Sequence, residues 1–213
     1  SLLASNKLLV RKTKRSMHTT NSKHFYYRYP NLVKDFTPLH PHELWVADIT
    51  YIPLKQRFAY LYLITDAYSR KIVGFHVSED MRVGSAVVAL QKALDQKPND
   101  AIVIHHSDRG IQYCSNEYVA LLKQHHVRIS MTQNADPYEN ALAERVNGII
   151  KTEFNLHQTH LGFDQTYNLV KHSIKAYNEL RPHGSCDYLT PDQAHLQFET
   201  LPKRWKNYNK YYF

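Results

Sequence analysis

Apolar and polar positions alternate most regularly from Leu44 onward. In the stretch LWVADITYIP, Trp45, Ala47, Ile49 and Tyr51 fall on one face and Val46, Asp48, Thr50 and Ile52 on the other. This is the period of a strand, which Pro53 closes. A turn around Lys55 to Arg57 leads into AYLYLITD, and a second turn at Ser69 to Lys71 leads into KIVGFHV. Three strands so close in sequence predict an antiparallel meander. The period then changes. Val87, Leu90 and Leu94 predict a helix over 83–96, and AIVIHH reads as a short buried strand of the parallel kind before the loop SDRGIQYC. Ser115 is placed to cap a helix over 116–126, and RISMTQ reads as a fifth strand.

A polar loop, NADPYEN, separates these elements from a helix predicted over 141–154, with Leu142, Val146 and Ile149 as its inward stripe. A further helix over 165–180 should stop at Arg181-Pro182, because the residue before proline is pushed out of helical angles. Thr190-Pro191-Asp192-Gln193 combines a cap, a first-turn proline and a capping-box glutamine, so a short last helix starts there. The order predicts an α/β fold, a mixed five-stranded sheet flanked by helices on both faces.

At 213 residues with 43% hydrophobic and 22% charged positions, the chain can bury a real core. No apolar run reaches the roughly 18 residues of a membrane span, and no signal peptide opens the sequence, so a soluble cytoplasmic protein is expected. Cys114 and Cys186 stand alone, which argues against a disulfide framework. Charge changes the picture more than composition does. Residues 1–34 carry eight Lys or Arg and no acid, residues 203–213 carry four more, and the centre is net acidic. Arg11, Lys12, Lys14 and Arg15 at one end and Lys203, Arg204 and Lys206 at the other suit a polyanion such as DNA, or simply solvated ends. Three parts are expected: a basic arm over 1–34, a catalytic core over 35–198, and a tail over 199–213 in which aromatic rings alternate with cations, fitting either DNA or the core surface.

Asp48 lies within an otherwise apolar strand, where an ionised carboxylate is costly unless a cation compensates it. Asp108 follows the fourth strand, and Gly110 frees the loop to turn. If the first and fourth strands are parallel neighbours, these carboxylates converge. Glu144 lies in the first turns of the long helix on a face shared with Asn147 and Lys151. Three carboxylates form a hard oxygen set suited to two Mg²⁺ or Mn²⁺ ions, which can clamp both oxygens of a phosphoryl displacement.

The segments WVADITY, SRKIVGF, HSDRGIQY, NALAERVNGIIKTE and YNELRPH with LTP resemble the integrase core of bacterial insertion-sequence transposases of the IS-three type, over about residues 30–198. The 35 residues between Asp108 and Glu144 match that group's signature. The resemblance implies an RNase H-like fold, relation to retroviral integrases, and metal-dependent DNA strand transfer with Asp48, Asp108 and Glu144 as catalytic metal ligands. It also implies a homodimer or higher oligomer on paired DNA ends, with Lys151, Asn147, Arg109, Tyr138 and Asn140 near DNA and His106 and Gln112 shaping the Asp108 loop. The loop before the long helix departs from the group's usual CYDN, reading Pro137-Tyr138-Glu139-Asn140. A nuclease of the same fold and a non-catalytic DNA-binding protein are the alternatives.

Other polar residues read as structural. Glu153 falls almost opposite Glu144 on the helix, and Asp66 is read as capping the turn at Ser69. The His105-His106 pair lacks the paired cysteines of a zinc site, and Arg181 and His183 fit either DNA contact or a helix end.

Overall fold

The computed structural model describes residues 24–133, 140–158, 161–197 and 201. The meander forms as its alternation predicts: β1 (Leu44–Pro53), β2 (Phe58–Asp66) and β3 (Ile72–Ser78) pair antiparallel. The helix α1 (Val83–Leu94) leads to β4 (Ile104–Ser107), which pairs parallel with β1, and β5 (Arg128–Met131) pairs parallel with β4. The sheet order is β3-β2-β1-β4-β5, which puts β1 at the centre.

Between β4 and β5 lie α2 (Ile111–Cys114) and α3 (Asn116–Gln124). The short α2 falls in the segment expected as loop; with four residues it is too brief for periodicity to show. Ser115 caps α3 as expected, accepting from the Tyr118 amide. The helix ends two residues short of the expected limit, and His126 follows in the left-handed region at φ 56°.

One face of the sheet buries Trp45, Ala47 and Ile49 against α1 and α3 through Leu90, Tyr118 and Leu122. The close seating of α1 requires Gly74: a Cβ there would stand 2.4 Å from the Ala89 carbonyl oxygen. The other face buries Ile52, Leu61 and Leu63 against α4 (Ala141–Glu153) and α5 (Phe163–Leu180) through Val146, Ile150, Val170 and Ile174. Burying both faces removes apolar surface worth roughly 25 cal/mol per Å². The last helix, α6 (Pro191–His195), opens with the predicted capping box of Thr190 and Gln193.

Two details refine the sequence reading. Part of the expected arm lies against the core: the Pro30 carbonyl accepts from the Met131 amide at 3.3 Å, and the Leu32 amide donates to Ser130 Oγ at 2.9 Å, covering the outer edge of β5. The inward stripe of α4 is Ala143, Val146, Asn147 and Ile150, a rotation from the expected Leu142, Val146 and Ile149. Both stripes have helical spacing, and the one that brings a polar amide under the sheet is the one adopted.

Candidate active site

The register of β1 and β4 aligns Val46 with His106. Continuing two residues along each parallel strand brings Asp48 and the start of the Asp108 loop to the same end of the sheet. Asp108 Oδ1 accepts from the Gly110 amide at 2.9 Å, an Asx-type turn that folds the loop back on itself. A Cβ on Gly110 would lie 3.0 Å from that same oxygen, so the turn requires glycine for space.

Helix α4 is fastened along β1 by three side chains from one face. Asn140 donates to the Ala47 carbonyl at 3.1 Å, Asn147 donates to Asp48 Oδ2 at 2.8 Å, and Lys151 donates to Thr50 Oγ1 at 3.3 Å. Spacings of seven and four residues return to nearly the same helical angle. Lys151 Nζ also lies 4.2 Å from the centroid of the Tyr51 ring, a cation–π contact. Glu144, one turn before Asn147, is therefore carried at the same edge, with its side chain exposed.

Electrostatics link the three acids. Burial first, then the neighbouring Asp108, push the Asp48 carboxyl up to about 7. Amide donors from Asn147 and Ile49 act against this, and Glu144 adds to it. Glu144 is likewise raised, by desolvation and then by Asp108. Lys151 is lowered by burial, with Asp48 opposing. Mutual repulsion among oxygen donors is what a divalent cation relieves, and carboxylates are the ligands such hard cations take, so the donor set suits Mg²⁺ or Mn²⁺. Among the described residues, no three His, Cys, Asp or Glu side chains stand ready as a metal cluster.

Other residues singled out in the sequence have different places. Asn140 and Asn147, expected near DNA, turn their amides onto β1 and Asp48. The role of Asn147 in orienting Asp48 was missed, although its three-residue spacing from Glu144 was the available signal. Arg109 sits beside Asp108, and its carbonyl accepts from His24 Nε2 at 2.9 Å. Gln112 is buried and donates to the Met81 carbonyl, while His106 Nδ1 meets Ser130 Oγ at 2.8 Å. Tyr138 and Glu139, the arm residues Arg11, Lys12, Lys14 and Arg15, and the tail residues Lys203, Arg204 and Lys206 lie outside the described residues.

The competing acids have structural partners. Glu153 forms a two-pronged pair with Arg181 at 2.6 Å for each prong, tying the end of α4 to the end of α5. Asp66 is fully buried and caps its turn as read: Oδ1 accepts from the Ser69 amide and hydroxyl, each at 2.8 Å, and Oδ2 accepts from the His42 amide at 2.7 Å. His105 is buried on the opposite face of β4 from His106, with Nε2 2.9 Å from the Tyr118 hydroxyl. Cys114 and Cys186 are buried free thiols.

Residues 38–137 match the integrase core domain family, and residues 125–191 match a second family of the same description. The chain is 34% identical over 175 residues to the insertion element IS600 uncharacterized 31 kDa protein of Shigella sonnei. It is 36% identical over 164 residues to the transposase InsF for insertion sequence IS3A of Escherichia coli. These matches cover 81% and 76% of this chain, but only 64% and 57% of the relatives. In shape it is similar to the HTLV-2 integrase catalytic core domain in complex with magnesium, with a TM-score of 0.58 and 23% identity over 74% of this chain and 98% of that one. It is also similar to a chain of the simian T-cell lymphotropic virus intasome in complex with a PP2A regulatory subunit, with a TM-score of 0.67 and 22% identity over 88% of this chain and 66% of that one. The fold is thus RNase H-like. Among the described residues no helix is long and apolar enough to cross a membrane.

Proposed function

We propose that this chain, which belongs to the integrase core domain family, is the catalytic portion of a DNA transposase that cleaves transposon ends and joins them to DNA. The observation that carries the reading is the Asn147–Asp48 hydrogen bond of 2.8 Å. It fastens the helix bearing Glu144 to the strand bearing Asp48, beside the Asp108 loop. Together with the electrostatic influence of Asp108 and Glu144 on Asp48, it supports a reading in which the three acids share one edge of the sheet, with Lys151 bonded nearby to Thr50.

In this reading Asp48, Asp108 and Glu144 are the catalytic acids and would hold two Mg²⁺ or Mn²⁺ ions. Such a pair, when bound, supplies Lewis-acid activation of the attacking oxygen and charge neutralisation at the leaving oxygen. A DNA 3′-hydroxyl attacks a phosphodiester, the new phosphorus–oxygen bond forms as the old one breaks, and the departing 3′-oxygen ends protonated. Asn147 and the Ile49 amide each take one lone pair of the Asp48 carboxylate, on different oxygens, leaving the remaining lone pairs available. Lys151, held between Thr50 and Tyr51, offers a cation to a backbone phosphate. Two copies or more, each bringing one transposon end, form the working assembly. The basic ends of the chain add phosphate contacts.

The test is an Mg²⁺-dependent joining assay with labelled end DNA. Joined products support a transposase, hydrolysis alone indicates a nuclease of the same fold, and binding without either indicates an inert binder. Glu144→Gln should lower joining by at least about a hundredfold while DNA affinity changes less than about twofold, because one metal ligand is lost and no phosphate contact. A Glu144→Gln protein that still joins ends would place the third ligand elsewhere.

A further inference from the structure

Residues 24–30 form a bridge across the catalytic edge. At one end His24 is bonded to the Arg109 carbonyl beside Asp108, and at the other Pro30 accepts from Met131 at the end of β5. Between these anchors the segment passes over α2 and α3 and leaves a hollow of about 420 Å³, lined by Tyr27, Tyr29, Cys114, Asn116, Val119 and Lys123. That volume lies within the range of roughly 300–1,000 Å³ typical of small-ligand sites.

The lining has a definite chemistry. Tyr27 and Tyr29 meet edge to face with centroids 4.9 Å apart, and Tyr27 remains 69% exposed. Lys123 Nζ stands 5.9 Å from the Tyr29 ring centroid, and the exposed Asn116 adds an amide able to read a base edge. The floor is Cys114, whose Sγ lies 3.6 Å from Met131 Sδ. Burial and then Asp108 push its thiol up to about 11, while Arg28 and Arg109 pull the other way. Phe25, just before it, exposes its whole ring. Aromatic faces with interleaved cations are how proteins hold unpaired nucleotides, because every base has a stacking face and every linkage a charge.

We propose that this hollow binds an unpaired nucleotide of the DNA strand that passes the Asp108 loop. The proposal rests on the reading of the chain as a DNA transposase and adds to it a single-strand site separate from the three acids. Stacking there would hold a frayed end open beside the catalytic edge. Charge selects this occupant over a protein segment: Lys123 lines the hollow, Arg28 lies in the segment that covers it, and a DNA linkage carries the opposite charge.

The experiment measures binding of the whole chain, without divalent metal, to a blunt duplex and to the same duplex with a short single-stranded extension on either strand. The extension carries 2-aminopurine. One of the extended duplexes should bind about tenfold more tightly than the blunt one, and its 2-aminopurine fluorescence should be quenched by stacking. Tyr27→Ala should lose both effects and Tyr27→Trp should keep them; since the Tyr27 ring is exposed, both variants should fold. If Tyr27→Ala keeps the preference and the quench, the hollow is not the site. Equal affinity of the wild type for blunt and extended duplexes overturns the inference, leaves the transposase reading intact, and assigns the hollow to a protein segment. Absence of binding to any DNA overturns both.

Discussion

Asp48→Asn in the metal-free protein isolates the electrostatic state of the candidate active site. In the unfolded chain Asp48 ionises near its ordinary value of 3.8, whereas in the fold it keeps its proton up to about 7. Between these values the folded state binds more protons than the unfolded state, so raising the pH through that window removes stability. The loss is absent below 3.8 and complete above about 7. At about 1.4 kcal/mol per pH unit the ceiling is about 4 kcal/mol, and because the residue is only partly buried roughly half of that survives solvent screening. Asn has one carbonyl oxygen, whereas Asp48 accepts from Ile49 on one oxygen and from Asn147 on the other. The substitution therefore loses one hydrogen bond at every pH, about 1 kcal/mol. At pH 5 more than a third of the loss has already occurred, so the variant should match wild type to within a few tenths of a kcal/mol there, and it should be more stable by about 1 kcal/mol at pH 8. In a chain of this size the change between the two, about 1.4 kcal/mol, is a relative swing of about 3–6 °C in Tm. Thermal denaturation followed by circular dichroism in EDTA, at steps from pH 5 to 8, measures it. The histidines titrate in both proteins and cancel in the difference. A Tm difference that stays constant across the range, or one that turns against the variant as pH rises, refutes the reasoning.

Gly74→Ala sets a Cβ 2.4 Å from the Ala89 carbonyl oxygen and 2.9 Å from Ala93 Cβ, so α1 must lift from β3. A loss of about 1–3 kcal/mol in urea denaturation is expected, and an unchanged midpoint would show that the helix gives way freely. Removing residues 1–23, which carry Lys7, Arg11, Lys12, Lys14, Arg15 and Lys23, should weaken DNA binding and flatten its dependence on salt. A slope equal to that of the full chain would place this stretch off the DNA.

The strands and helices were legible in the sequence because their signals are local: alternation in β1, the Ser115 and Thr190 caps, and the stop at Arg181-Pro182 all depend on neighbours a few residues away. The three acids were singled out on a different ground: Asp48 breaks an apolar pattern at a cost that needs explaining, and the interval from Asp108 to Glu144 has meaning only through the transposase group the sequence resembles. Tertiary structure decided what local signals leave degenerate. Two stripes of α4 have equal helical periodicity, and the adopted rotation is the one that gives the desolvated Asp48 carboxylate a hydrogen-bond donor in Asn147, since burying that group without one is unfavourable. Whether β1 and β4 are neighbours depends on the order of strands in the sheet, and no residue in either strand encodes that alone. The hollow beside Cys114 exists only because residues far apart in sequence, from the 24–30 bridge and from α3, are brought together across the edge of the sheet.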